Sequence, residues 1–419
     1  MQEVYKMYPN ASSESILYDF QKQALTQAKP NYFYALDTGT GKTITSIHHY
    51  MKYANGEPLL IVAPPQKIKE GGWERDLQFV ANHYQVEFEF EQLSYGILAK
   101  EWSKYAGHFL IFDEAHYIKN PTSQRGKAAM NLTRTSTHFV LLTATPMSNG
   151  WEDAYNYMIM FKKFKNKTQM NREHANFGTK FFGTKRIPVI ESWHHEDVLQ
   201  KYFNSYAVSI SKDDALDLPP LVFRDVSFKQ SADYRIILKD RVLDDKAYDT
   251  PSKVAHGLRE HANKKDKLDY LIMLLESVSN NIVVFYQYTS EATAIKEALK
   301  KVKPKKSVFE VSGKASKLPP KEYWSSLKHS ITLVQYQAGS AGIELQYANN
   351  VVFYTPTYSF QDYSQALGRA YRNGQEKKVT VYRFITKSTI EEDVYEALER
   401  KEDFNENIYM ETRLDGWKK

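Results

Sequence analysis

Tyr32-Phe33-Tyr34-Ala35-Leu36-Asp37-Thr38-Gly39-Thr40-Gly41-Lys42-Thr43 decides how this chain folds: an apolar run enters a glycine loop, and Thr43–Tyr53 beyond it reads as a helix. Strand, glycine loop and helix in that order form a phosphate-binding loop. The glycines let backbone N–H groups close around an anion at a helix N-terminus, where the macrodipole also favours negative charge. Thr38, Gly39, Thr40 and Gly41 then line the cradle, Lys42 bridges the outer phosphates, and the Thr43 hydroxyl ligates Mg²⁺. The full pattern has a glycine six residues before the lysine, where Leu36 stands. Alone, therefore, the loop also reads as a plain turn.

A second stretch narrows the choice. Leu110-Ile111-Phe112-Asp113-Glu114-Ala115-His116 is an apolar strand ending in adjacent carboxylates. Asp113 is placed to hold the metal and Glu114 to polarise an attacking water. A single Asp-Glu pair after a strand is also an ordinary helix N-cap, but its combination with Lys42 favours the catalytic reading. Phe139–Leu142 is a third strand, followed by Thr143-Ala144-Thr145-Pro146. Ligands collect at the carboxyl ends of parallel strands, so Lys42, Asp113 and Thr143 are expected in one crevice. Thr143 and Thr145 otherwise pass as turn residues; their position alone gives them a coupling role.

The alternation of strands and helices predicts an α/β fold with parallel sheets. A second set of strand-like runs follows at Ile282–Phe285, Val308–Val311, Ile331–Gln335, Val351–Tyr354 and Val379–Phe384. Two α/β lobes in tandem, with a cleft between them, explain the pattern. The first is expected over 1–217, with a helical insertion about 151–215. The second is expected over 218–419, with a helical opening about 229–263. Leu218-Pro219-Pro220 cannot lie inside a helix or a central strand and marks the junction.

Composition sets limits on function. At 419 residues and 42% hydrophobic, the chain is long enough for two or three domains. It has no cysteine, so disulfides, thiolate metal sites and cysteine nucleophiles are excluded and a reducing, cytoplasmic setting fits. No apolar run approaches the ~18 residues of a membrane span, and the first residues lack the plan of a signal peptide. The net charge is only +6, from 56 basic and 50 acidic residues, which does not by itself identify a polyanionic partner. Lysines cluster at 162–167 and 300–306; each cluster alone reads as a solvated face.

In the second lobe, Gln365-Ala366-Leu367-Gly368-Arg369-Ala370-Tyr371-Arg372-Asn373-Gly374-Gln375 sets two arginines three apart, hence on one face if helical. Phosphoryl transfer needs positive charge for its transition state, and Arg372 is the expected arginine finger with Arg369 beside it. Ala338-Gly339-Ser340-Ala341-Gly342-Ile343 is glycine-rich where backbone must approach a phosphate closely. Gly342 is taken as a nucleotide contact.

The order of these motifs resembles the Swi/Snf branch of the superfamily 2 helicases and translocases, over most of the chain. Leu17-Tyr18-Asp19-Phe20-Gln21 is similar to the adenine-reading segment, which implies base contacts from Phe20 and Gln21. Ile61-Val62-Ala63-Pro64 with Trp73-Glu74-Arg75, and Asp113–His116 running on to Ile118-Lys119-Asn120-Pro121, resemble marks of that branch rather than of DEAH-box proteins generally. Lys212-Asp213-Asp214 with Leu218-Pro219 looks like the segment that leads into the second lobe, with Ser209 and Ser211 where arginines are usual. Val283–Thr289 and Arg369–Gln375 are similar to second-lobe motifs, while Glu344 replaces an asparagine.

The resemblance implies two RecA-like lobes and an ATP- and Mg²⁺-dependent motor that tracks along double-stranded DNA. It implies a minimal, monomeric form of the kind phages and bacteria carry, working in the cytoplasm of the cell or of a host. DNA contacts or coupling roles are expected from Gln66, Lys119, Thr143, Thr145, Gln287 and Thr289. An RNA or single-strand helicase shares the core motifs, and a clamp that binds ATP without turnover is a third reading. Lys119-Asn120-Pro121 and Trp73 weigh against the second, and Glu114 and Arg372 against the third. Direction of travel, preferred junction, replication or recombination partners and pathway are not legible.

Overall fold

The computed structural model describes residues 15–404, apart from 148–149, 183–184, 216, 303–306, 314 and 340–342, together with Tyr409. The chain divides into two compact units, residues 1–216 and 217–419.

Unit 1 is built on six parallel strands: β1 (Tyr32–Leu36), β2 (Leu59–Ala63), β3 (Phe90–Ser94), β4 (Phe109–Asp113), β5 (Phe139–Leu142) and, after an antiparallel ribbon of β6 (Ala175–Phe182) and β7 (Lys185–Trp193), β8 (Ala207–Ile210). Their order across the sheet is β3-β2-β4-β5-β1-β8. Strands β1, β2, β4 and β5 are buried at every residue, as expected of a parallel sheet covered on both faces. One face packs Phe33, Leu60, Leu110 and Leu141 against Leu132, Tyr157 and Phe203. The other packs Tyr34, Ile61, Ile111 and Leu142 against Ile47, Trp73 and Val80. Alternate residues of each strand therefore feed opposite cores. Because β4, β5 and β1 are neighbours, their carboxyl ends lie side by side.

Unit 2 repeats the plan. Strands β9 (Leu221–Phe228), β10 (Ile282–Tyr286), β11 (Ser307–Val311), β12 (Ser330–Gln335), β13 (Asn350–Phe353) and β14 (Val379–Thr386) run parallel in the order β11-β12-β10-β13-β14-β9, and Ser316–Lys317 adds a short antiparallel edge beside β11. Val283, Phe285, Val351 and Phe353 face one core, and Ile282, Val284, Leu333 and Phe384 the other.

The stretch 151–215 is only partly helical, contrary to the expected insertion. Short helices at Gly150–Ala154, Tyr155–Met160 and Lys167–His174 lead into the β6–β7 ribbon, and β8 belongs to the main sheet, pairing with β1. Residues 229–263 hold the helices Ala232–Asp240 and Pro251–Glu260, with a small hairpin between them. Among the described residues no helix is long and apolar enough to cross a membrane.

Candidate active site

β1 ends at Leu36, and residues 37–41 turn the chain into helix Lys42–Tyr53. Gly39 and Gly41 have φ of 85° and 77°, left-handed values that strain any residue with a Cβ. Thr40 Oγ1 donates to the Asp37 carbonyl at 2.7 Å and closes the loop. No side chain caps the helix, so its first N–H groups keep no side-chain acceptor where an anion would sit. The Lys42 ammonium lies back on the loop, donating to the carbonyls of Leu36 at 2.8 Å and Asp37 at 3.4 Å. Burial pushes its pKa below the ordinary lysine value, opposed by the charges of Glu114, Asp113 and Asp37. Thr38 Oγ1 lies 3.4 Å from the Lys212 ammonium, and Lys212 N donates to Asp37 Oδ2 at 2.8 Å. Thr43 stands in the first turn of the helix.

Gln21 packs directly against this loop. Its Nε2 donates to the carbonyls of Thr40 at 2.9 Å and Gly41 at 3.3 Å, while its Oε1 accepts from Tyr18 N at 2.9 Å. A Cβ on Gly41 would meet that Nε2 at 2.4 Å, a second reason for glycine there. Phe20 is half-buried and stacks on Tyr18, with ring centroids 5.7 Å apart.

At the end of β4, Asp113 is fully buried. Its Oδ2 accepts from Trp73 Nε1 at 2.9 Å and pairs with the Lys67 ammonium. Tyr95 OH donates to the Asp113 carbonyl at 2.6 Å, and Asp113 Oδ1 is buried without a hydrogen-bond partner. Glu114 takes a left-handed φ of 54°. Its carboxylate lies 3.3 Å from His116 Nδ1, which is also 3.2 Å from Thr143 Oγ1. Burial alone would raise the Glu114 pKa, but the contact with His116 and the charges of His116, Lys42 and Lys67 hold it below the usual carboxylate range. Thr143 Oγ1 accepts from Thr145 N at 3.2 Å, so Glu114, His116, Thr143 and Thr145 form one chain of polar contacts.

The Lys119-Asn120 extension has structural uses. Lys119 pairs with the buried Asp153 at 2.9 Å. Asn120 builds the corner before helix Gln124–Thr135: its Oδ1 accepts from Thr122 N at 2.9 Å, and a Cβ on Gly126 would come within 2.0 Å of its carbonyl. Gln66 lies in the short helix Pro65–Lys69, after β2.

In unit 2, helix Phe360–Ala370 ends before Arg372. The condition under which Arg369 and Arg372 would share a helical face is not met: Arg369 is in the last turn and Arg372 in the bend beyond it. Gln375 holds that bend, its Nε2 donating to the carbonyls of Ala348 at 2.9 Å, Gln346 at 3.1 Å and Ala370 at 3.2 Å, and its N to the Arg372 carbonyl at 3.0 Å. Arg372 Nε is buried without a hydrogen-bond partner. Gln287 and Thr289 flank the turn after β10, where Gln287 N and Tyr288 N both donate to Glu291 at 2.9 Å. Gly342 lies outside the described residues.

Sequence reasoning assigned nothing to Lys67, Tyr95, Glu291 or Gln375. Lys67 carried a usable signal, since it follows the carboxyl end of a buried parallel strand, and Gln375 closes the segment that resembles a second-lobe motif.

A glycine loop at the end of β1, with a buried aspartate and a half-buried glutamate at the end of β4, sets the chain in the class of two-lobed P-loop α/β proteins. Residues 93–281 match the model of the SNF2-related domain, and residues 263–374 that of the helicase conserved C-terminal domain. Both matches are to helicase-like domains, the first of the SNF2-related type that the motif order resembled. It is similar to the Bacillus subtilis helicase/translocase-type protein YwqA, 25% identical over 89% of this chain and 46% of that protein. It is also similar to human chromodomain-helicase-DNA-binding protein 1, 23% identical over 87% of this chain and 25% of that protein. The chain thus spans half or less of the length of these relatives. Among solved structures it matches a Sulfolobus solfataricus SWI2/SNF2 ATPase core in complex with double-stranded DNA, at TM-score 0.41 and 18% identity, covering 97% of this chain and 95% of that one.

Proposed function

We propose that this chain hydrolyses ATP and couples the hydrolysis to movement along double-stranded DNA. The observation that carries the reading is the meeting, at the carboxyl ends of β1, β4 and β5, of a lysine lying on its own glycine loop, a buried aspartate with one unpartnered oxygen, and a glutamate held ionised.

Each residue has a task in that chemistry. Lys42 leaves the Leu36 and Asp37 carbonyls for the phosphates, and Thr38–Gly41 wrap them with backbone N–H groups. Glu114 orients a water and takes its proton. Thr43 and the orphaned Asp113 Oδ1 would hold a Mg²⁺. Among the described residues no group of three or more His, Asp or Glu forms a cage of its own, and Mg²⁺ is usually held by one or two carboxylates plus substrate phosphates. When bound, the ion supplies charge neutralisation. Arg372, with Arg369, supplies positive charge to the transition state, and the Gln375 bonds keep its bend in shape. Gln21 braces the loop, and Phe20 offers a ring to the base. The Glu114–His116–Thr143 contacts give a physical route by which DNA held near Thr143 and Thr145 could alter the catalytic carboxylate.

DNA contacts from Gln66, Lys119, Gln287 and Thr289 are sequence-independent in this account, so binding falls steeply with salt. Lys119 enters such a contact only by sharing or leaving Asp153. Steady-state hydrolysis with no nucleic acid, duplex DNA, single-stranded DNA and RNA at one salt concentration tests the proposal. Strong stimulation by duplex supports it. Preference for RNA or single strands indicates a helicase of the other kind, and no hydrolysis in any condition indicates a clamp.

A further inference from the structure

Lys67 stands outside every motif used above, yet its ammonium is paired with the most buried carboxylate of the site. We propose that Lys67 is a tethered cation that holds Asp113 until a divalent ion arrives, so that lysine and metal compete for one carboxylate. This rests on the reading of Asp113 as the metal-side carboxylate.

The geometry separates a fixed partner from a movable one. An ionised carboxylate removed from water needs compensation, and both direct compensators, Trp73 Nε1 and Lys67, act on Asp113 Oδ2. Trp73 is wholly buried and fixed in the core. The Lys67 side chain is 29% exposed against 1% for Asp113, and it rides on a five-residue helix at the end of a strand, with a flexible four-carbon stem. Its ammonium is 5.7 Å from the centre of the Trp73 ring, a face that favours a cation. The charge of Lys67 also acts on Lys42 and Glu114. Those four side chains carry two positive and two negative charges; a dication at Asp113 would bring the set to +2, and withdrawal of Lys67 lowers that excess to +1. The site is thus neutralised by its own lysine before loading, and the freed ammonium has nucleotide phosphates as its nearest new partner class.

The test is Mn²⁺ binding to the nucleotide-free full chain, followed by electron paramagnetic resonance. Lys67→Gln should bind Mn²⁺ about tenfold more tightly than the unmodified chain, because a unit charge a few ångströms from the ion is gone. Lys67→Arg should bind like the unmodified chain, and Asp113→Asn should lose this site. Unchanged or weaker binding by Lys67→Gln, with binding still lost in Asp113→Asn, overturns the inference alone. Equal binding by Asp113→Asn and the unmodified chain overturns the metal reading of Asp113, and the inference with it. Should Lys67→Gln fail to fold, acylation of lysines in the unmodified chain decides: Lys67 becomes more reactive when Mn²⁺ is added if the ion displaces it, and equal or lower reactivity overturns the proposal.

Discussion

The corner at Asp113 and Glu114 and the bend at Arg372 are both charged, but they are satisfied differently. In unit 1, Lys42 lies on two loop carbonyls, Asp113 Oδ2 on Trp73 and Lys67, and Glu114 near His116, while Asp113 Oδ1 has no hydrogen-bond partner. In unit 2, the backbone around Arg372 is held by Gln375, yet Arg372 Nε is buried with no hydrogen-bond partner. A buried donor left unpaired costs about 1–3 kcal/mol, and such groups concentrate where function needs them. On the proposed reading both places keep an unpaired polar atom, Asp113 Oδ1 and Arg372 Nε, and the contrast is a division of labour in which unit 1 would grip the nucleotide and its metal and unit 2 would supply charge for turnover. Binding should then follow the residues of unit 1, and turnover should follow both.

The harshest test of the first half of that division is Lys42→Ala, which should abolish nucleotide binding or hydrolysis. Retention of normal binding by fluorescence titration would remove the phosphate loop from the account. Next in size is the acid response of unit 1. His48 and His49, on the helix behind the loop, are neutral because burial lowers their pKa values to about 4 and about 3. The unfolded chain takes up those protons first, so stability is complete above the ordinary histidine value of 6.5 and falls as pH drops from there towards 4 and 3. Thermal melts between pH 7 and pH 4 should show this loss, and a double His48→Gln, His49→Gln variant that still folds should show a flatter profile. An equal slope in that variant would place the acid sensitivity elsewhere.

Trp73→Phe sharpens the comparison further. It keeps most of the buried ring but removes the donor to Asp113 Oδ2, and should cost about 1–3 kcal/mol by denaturant unfolding. A change below a few tenths would mean that Lys67 alone satisfies the carboxylate. The smallest effect is expected at the lysines of 162–167. Lys163 and Lys167 lie over the rings of Tyr202 and Tyr155, at 5.8 Å and 4.5 Å, whereas Lys162 and Lys165 are exposed. Reversal of those two charges should weaken DNA-stimulated turnover, lower the salt slope of DNA binding by about one per charge that contacts a phosphate, and leave basal hydrolysis unchanged. Equal loss of both activities would move the cluster off the DNA path.

What the sequence displays is what local pattern can encode. β1, β2, β4 and β5 are uninterrupted apolar runs because both faces of a parallel sheet are covered, which is what makes β1, β4 and β5 legible as strands. β3 and β9 were not, since their residues are largely half-exposed or exposed. β8 is only Ala-Val-Ser-Ile, and it is a strand because β1 offers it an edge. The β6–β7 ribbon lay hidden among lysines, aromatics and Pro188. Asp113 and Glu114 were legible from the strand that ends in them. Their partners were not, because Lys67, Trp73 and Tyr95 approach from three other elements, and only sheet order brings those together. The sequence pattern leaves open whether the helix reaches Arg372, although Asn373-Gly374 is a turn signal; Gly374 has φ of 91°.

The division of labour is tested most directly by measuring nucleotide affinity and single-turnover hydrolysis on the same sample of Arg372→Ala, with duplex DNA present. ATP affinity should remain within severalfold of the unmodified chain, while the rate falls by ~10³-fold or more. Normal DNA-stimulated turnover in that variant, or a loss of affinity as large as the loss of rate, would contradict the account.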